Sequence, residues 1–225
     1  MMSKHDALSQ VSLFQGIPAD TAAEIAAVAG LQRFSAGAVL FVEGERPEFV
    51  YAIAEGAIAL VTQGGTGETV MEFFEAGDSV LLPAALLDLP FLLTARALKD
   101  GLAILIPADA FRRLAARDGA LALATAKTIA RQWRLMLSQL KDVKTQGPSD
   151  RLVRYILART DETAGPVRVT VPAMKKDLAS RLGIVPETLS RTLKTLQPLG
   201  VHVSKDAIEV EAIERLIAHV NQAGV

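Results

Sequence analysis

The sequence predicts an α+β fold in three segments: a roll of short strands, one long helix, and a small helical module that ends in a β-hairpin. Three observations carry this. Short alternating runs bounded by glycines fill most of the first half of the 225 residues. An apolar repeat at spacings of four and three then runs from Ala122 to Val143. Beyond Pro148, two short helical patterns flank Gly183, and an alternating segment follows them.

The first element in the chain is a helix over residues 20–29, opened by the start signal Pro18-Ala-Asp. β-type runs cover residues 32–42, 51–62, 69–74 and 94–106, bounded by Gly44, Gly56, the Gly64-Gly65-Thr-Gly67 turn, Gly77 and Gly101. Strands this short and this regularly spaced close into a roll or a double layer. No helix and no Lys-Ser/Thr pair follows Gly64-Gly65, so the pair reads as a hairpin tip and not as a phosphate loop. The most apolar stretch, residues 80–93, is broken by Pro83, Asp88 and Pro90 and is too short to span a bilayer.

The long helix carries Ala122, Ala126, Ile129, Trp133, Met136, Leu140 and Val143 on one seam, the pattern of a two-stranded coiled coil. A homodimer is expected. A second apolar set, Leu121, Ala130 and Leu137, is left to pack on the chain's own roll.

In the last segment, Leu178, Ala179 and Leu182 share one helix face, and Leu189, Leu193 and Leu196 share another. Gly183 suits the sharp turn between them, and Pro186 suits the first turn of the second helix. The second helix then turns Glu187, Thr188, Ser190, Arg191 and Lys194 outward. An alternating segment over residues 200–210 forms a hairpin with Lys205 at its tip, and residues 167–171 supply a strand to pair with it. These parts make a winged helix-turn-helix. Such a module sets the start of its second helix in the major groove, where arginine bonds guanine and a carboxylate accepts from cytosine.

Residues 12–220 resemble the CRP/FNR family of bacterial transcription regulators. Glu187-Thr-Leu-Ser-Arg191-Thr-Leu is similar to the recognition helix of the FNR branch. A looser likeness lies in Leu13-Phe14-Gln-Gly-Ile, in the Gly37 to Gly44 segment, in Val50-Tyr-Ala-Ile-Ala-Glu-Gly56 and in Gly77-Asp78. The resemblance implies a cyclic-nucleotide-binding-like double-stranded β-helix, or jelly roll, over residues 1–118. It further implies a dimerisation helix over 119–146 and a winged helix-turn-helix over 147–225. It also implies an inverted repeat close to TTGAT-N4-ATCAA as the target, with Arg191 reading a guanine, Glu187 the cytosine across the pair and Ser190 a thymine.

Family members that bind cyclic AMP use a Gly-Glu-Leu turn and an Arg-Ser/Thr-Ala segment. Here Gly77-Asp-Ser and Leu93-Thr94-Ala95 stand in those places, and Arg96 lies three positions on, facing the other side of its strand. A nucleotide phosphate would lack its cation in an apolar pocket, so an effector other than cyclic AMP is expected. Its pocket is expected at Leu82, Leu86, Leu93, Thr94 and Arg96. The leucines from Leu81 to Leu92 resemble the nitrate-respiration regulators, which sense nitric oxide with haem; His5, Met71 and Met136 are the candidate ligands. Two further readings stand beside this one: a cyclic-nucleotide-dependent regulator, and a DNA-binding protein without an effector.

The absence of cysteine excludes disulfides, iron-sulfur clusters and thiolate zinc sites. No histidine lies between His5 and His202, which argues against a cupin-type enzyme. The net charge is −1, divided as +2 over residues 148–225 and −3 over the remainder, so DNA binding has to rest on local contacts. With no secretory or membrane pattern, a cytoplasmic protein is expected, with duplex DNA, a second copy, a small-molecule or gas effector and, for an activator, RNA polymerase as partners.

Overall fold

The computed structural model describes residues 3–64, 67–80, 82–171, 175–204 and 207–223. The chain divides into two compact units, Met1–Leu135 and Met136–Val225. The boundary falls inside the long helix, whose first half is packed into the core of the first unit, and not at either end of that helix.

In the first unit, helices α1 (Lys4–Ser9) and α2 (Ala19–Val28) precede strands β1 (Gly30–Phe34), β2 (Val39–Phe41), β3 (Phe49–Glu55), β4 (Ala57–Gly64), β5 (Gly67–Glu75) and β6 (Ser79–Val80). Helix α3 (Leu82–Leu87) follows, then β7 (Thr94–Ala97), β8 (Gly101–Pro107), α4 (Ala108–Arg117) and α5 (Gly119–Thr145). The strands form two antiparallel four-stranded sheets, β1-β8-β3-β6 and β2-β7-β4-β5. Three of the runs expected as single strands are pairs of strands. The break at Gly56 is forced: its φ is +89°, and a Cβ there would lie 2.6 Å from the Asp100 carbonyl oxygen. The apolar segment 80–93 contributes a helix that strand-type patterning does not reveal.

Period-two alternation gives the first sheet two apolar faces. Leu102, Ile104 and Ile106 of β8 and Val50, Ala52 and Ala54 of β3 turn toward the helices, where they meet Leu8, Ile25, Phe111 and Leu121. The intervening Ala103 and Ile53 turn into the roll, against Phe34, Phe41, Phe74 and Phe91. Small residues at Ala95, Ala97 and Ala103 make room for these rings. Burial of one such large side chain contributes about 1.5–3 kcal/mol.

Helix α5 starts on Asp118, whose carboxylate accepts from the amides of Ala120 (2.8 Å) and Leu121 (3.0 Å) and from the Thr21 hydroxyl. The Thr21 bond first, and then these amides, hold the Asp118 carboxyl below its usual pKa.

The second unit contains α6 (Pro148–Leu157), β9 (Val167–Thr170), α7 (Lys175–Arg181), α8 (Pro186–Leu196), β10 (Val201–Val203), β11 (Ala207–Val210) and α9 (Ile213–Ala223). Its sheet runs β10-β11-β9, all antiparallel, so the 167–171 segment does pair with the hairpin. Leu152, Ile156, Leu189, Ile208, Ile213 and Leu216 are fully buried and tie every helix but α7 to the sheet; Leu178 and Ala179 bring α7 into the same core. No helix among the described residues is long and apolar enough to cross a membrane.

Candidate functional site

The outward face of α8 is set by what lies beneath it. Leu189, Thr192, Leu193 and Leu196 are buried, which fixes the roll angle of the helix on the core. Glu187, Ser190, Arg191 and Lys194 are then exposed, and Thr188 is half-buried at the edge of the strip. Arg191 Nη2 donates to Thr188 Oγ1 at 3.2 Å, which holds the guanidinium over the first turn. Pro186 occupies that first turn, where no amide donor is needed, and Val185 is the N-cap residue.

The approach to α8 depends on Gly183. Its φ of +64° is the left-handed conformation that side chains disfavour. The amide of Gly183 donates to Ser180 O at 2.9 Å and that of Ile184 to Ala179 O at 3.0 Å, closing α7 and turning the chain into α8.

The hairpin follows α8 and packs on the same core. His202 pairs with Glu209 and Val203 with Ile208, and Ser204 closes the strands by donating its amide to Ala207 O at 2.9 Å. Lys205, expected at the tip, lies outside the described residues. Sequence reasoning passed over Val185, which is 57% exposed next to Pro186. An apolar side chain at the leading end of a groove-reading helix can meet a thymine methyl. Its one signal in the sequence is an apolar residue outside the three-four periodicity of both helices.

Along α5, Trp133, Met136, Leu140 and Val143 are each at least half exposed, and Ala126 is exposed as well. Ile129, from the same seam, is half-buried against the core of the first unit. The set expected to face that core is only partly there: Leu121 is buried, while Ala130 and Leu137 are exposed. The inward face is completed by Thr125, Thr128 and Gln132. Thr125 and Thr128 are buried because their hydroxyls bond the carbonyls of Leu121 (2.8 Å) and Ala124 (2.9 Å) one turn back. Gln132 Nε2 donates to Ser79 O at 2.9 Å.

The five residues expected to line one effector pocket are distributed over different surfaces. Leu82 and Leu86 pack in the layer between sheet and helices, whereas Leu93 packs on the roll interior. On β7, Ala95 and Ala97 point inward, so strand alternation sends Thr94 and Arg96 the other way. Arg96 is held by Glu68 of β5 at 2.8 Å. The Thr94 hydroxyl accepts from the Glu43 amide at 3.0 Å.

The roll interior itself is filled with rings. Phe91 stacks on Phe41 at 4.0 Å between centroids, and Tyr51 leans on Phe41 at 5.0 Å. The Tyr51 hydroxyl donates to Leu40 O at 3.3 Å, and burial pushes its pKa up. That interior cluster contains neither histidine nor methionine. His5 is exposed on α1, Met71 on β5 and Met136 on α5, so these residues do not fit haem held within the roll. Among the described residues, no group of three His, Cys, Asp or Glu side chains is placed to hold a metal ion.

Two family descriptions match the chain: a cyclic nucleotide-binding domain over residues 31–118 and a Crp-like helix-turn-helix domain over residues 150–219. The sequence has no match among curated proteins. Among solved structures, a candidate cyclic nucleotide binding protein of Ruegeria pomeroyi is 26% identical, with 97% of each chain covered and a TM-score of 0.67. FixK2 of Bradyrhizobium japonicum is 21% identical over 85% of this chain and 96% of its own, with a TM-score of 0.73. A CooA variant of Carboxydothermus hydrogenoformans is 16% identical over 86% of this chain and 88% of its own, with a TM-score of 0.74. The last two establish likeness of fold.

Proposed function

As a member of the CRP/FNR family of DNA-binding transcription regulators, with a cyclic nucleotide-binding-type roll and a Crp-like helix-turn-helix in one chain, this protein acts, we propose, as a homodimer that reads an inverted repeat of the TTGAT type. The observation that carries the reading is the strip of Glu187, Ser190 and Arg191 on α8, exposed on a helix whose opposite face is buried. A fork of donors, a carboxylate and a hydroxyl at neighbouring positions supply the groups needed to read guanine, cytosine and thymine edges in the major groove. The exposed seam of Trp133, Met136, Leu140 and Val143 supports association through α5. Lys194, exposed on the same helix, supplies a phosphate contact.

The effector is a small molecule other than cyclic AMP. Two observations support this: Phe91 and Phe41 occupy the roll interior as a stacked pair, and Arg96, the sole arginine of β7, is committed to Glu68. A nucleotide phosphate in the roll interior would meet no cation from β7, because Arg96 faces the other side of the strand and is paired there with Glu68.

Selection of bound duplexes from a random pool, with and without cyclic AMP, tests the whole reading. An enriched inverted repeat whose recovery does not depend on cyclic AMP is the expected outcome. Recovery no better than scrambled duplex overturns the DNA-reading assignment, and strict dependence on cyclic AMP overturns the effector assignment.

A further inference from the structure

Within the first unit, residues 12–16 and the first half of α5 enclose a cleft of about 390 Å³. That volume falls in the range of about 300–1,000 Å³ typical of small-ligand sites. Its lining holds two cations, Lys127 and Arg131, and no acid. They stand one turn apart on the same helix, close enough for their charges to repel, and a bound anion relieves that repulsion. Among the described residues neither forms an ion pair. Arg131 Nη2 instead donates to Thr128 Oγ1 at 3.1 Å, a hydroxyl already anchored on Ala124 O, so the guanidinium is held in a defined orientation. The acid nearest to Lys127 in the sequence, Asp118, is occupied by the first amides of α5 and by Thr21.

Ser12 and Gln15, both exposed and carrying neutral polar side chains, contribute to the lining from the segment before α2. Leu123, 56% exposed, and Ala124 add an apolar portion. Two cations, of which Arg131 is held in place by Thr128, neutral hydrogen-bonding groups and a short apolar wall match an organic anion of a few carbons. Arginine adds the two-pronged geometry that fits a carboxylate or a phosphate ester.

We propose that this cleft binds a small organic oxyanion, a carboxylate or phosphate monoester with a short apolar tail, and is the effector site of the regulator. The effector half of the proposal rests on the DNA-reading function above; the binding half does not. A ligand seated here ties residues 12–16 to the helix that also carries Ala126 and Trp133. It therefore acts on the element proposed to join two copies.

Calorimetric titration of the full-length protein with acetate, butyrate and methyl phosphate, with butanol as the neutral control, tests it. Butyrate is expected to bind saturably and more tightly than acetate, and butanol not at all; methyl phosphate against butyrate distinguishes the two anion classes. Lys127→Gln and Arg131→Gln should each weaken binding roughly tenfold, as loss of one charge-assisted hydrogen bond implies. Ala120→Phe fills the cleft at an exposed position, keeps both charges and should abolish binding. No saturable heat with any anion, or equal binding by the Lys127→Gln/Arg131→Gln double variant, overturns the site. Operator affinity measured on the same protein should change at least about threefold on saturation. Unchanged affinity for an enriched repeat overturns the effector role alone, and absence of any enriched repeat overturns the DNA-reading function while leaving the anion site intact.

Discussion

Arg191 is exposed on α8 while Leu189, two positions earlier, is fully buried, and that contrast separates recognition from stability. Replacing Arg191 with alanine removes no core contact, so the melting temperature should hold. Affinity for the selected repeat should fall by about 1–3 kcal/mol per base-pair contact, with relaxed preference at one position in each half-site. Competition binding against single-base variants of the repeat measures this, and an equal loss on every duplex would make Arg191 a phosphate contact. Gly183 gives the opposite profile. A Cβ there would meet Arg151 Nη1 at 3.5 Å and Val143 Cγ2 at 3.7 Å, ordinary contacts, so the cost of Gly183→Ala is backbone conformation alone. Stability should drop by about 1–2 kcal/mol in denaturant melts, with intrinsic base preference retained by the folded fraction. The polar strip was legible in the sequence because a buried three-four apolar pattern defines its complement. Val185 was not, since a residue in a turn belongs to no period and its exposure is decided by the way the turn closes.

At the scale of the element, α5 shows how far periodicity reaches. Its exposed seam followed from the heptad spacing, but its inward face did not, because Thr125 and Thr128 are polar in the sequence and become apolar in effect once their hydroxyls bond the preceding turn. The strand runs were legible as β and illegible as pairs: Gly56 splits one run at a crossing of two turns, and a crossing is a long-range contact that local alternation does not encode. Helix α3 was hidden for the same reason, its leucines being sorted between helix layer and surface only by the packing of α4 beside it. These findings select the residues for an association test. Ile129 is unsuitable, since glutamate there would disturb the core of the first unit. Trp133→Glu combined with Leu140→Glu alters two exposed seam positions, and the circular dichroism of the folded chain should be preserved. Sedimentation should then report a monomer with operator affinity greatly reduced; an intact dimer would move the joining surface off this seam.

For the whole molecule, charge and symmetry govern how the parts act on DNA. The second unit's modest positive balance gives little bulk attraction, so binding has to come from placed contacts, which the proposed dimer would make twice, once per half-site. In the proposed dimer, two copies related by a two-fold axis would present two α8 helices to one face of the duplex, with half-sites about one helical turn, roughly 34 Å, apart. This geometry is stricter than any single contact. Inserting about five base pairs between the half-sites rotates one of them by roughly half a turn and carries it to the far side of the duplex. Only one copy can then engage at full strength, and the affinity should fall toward that of an isolated half-site. Inserting about ten restores the facing while lengthening the span by another turn, so the recovery it allows measures how far the two reading modules can separate. A gel-shift series over the spacer lengths reads both quantities, and a smooth decline with no difference between half-turn and full-turn insertions would exclude paired, symmetric reading.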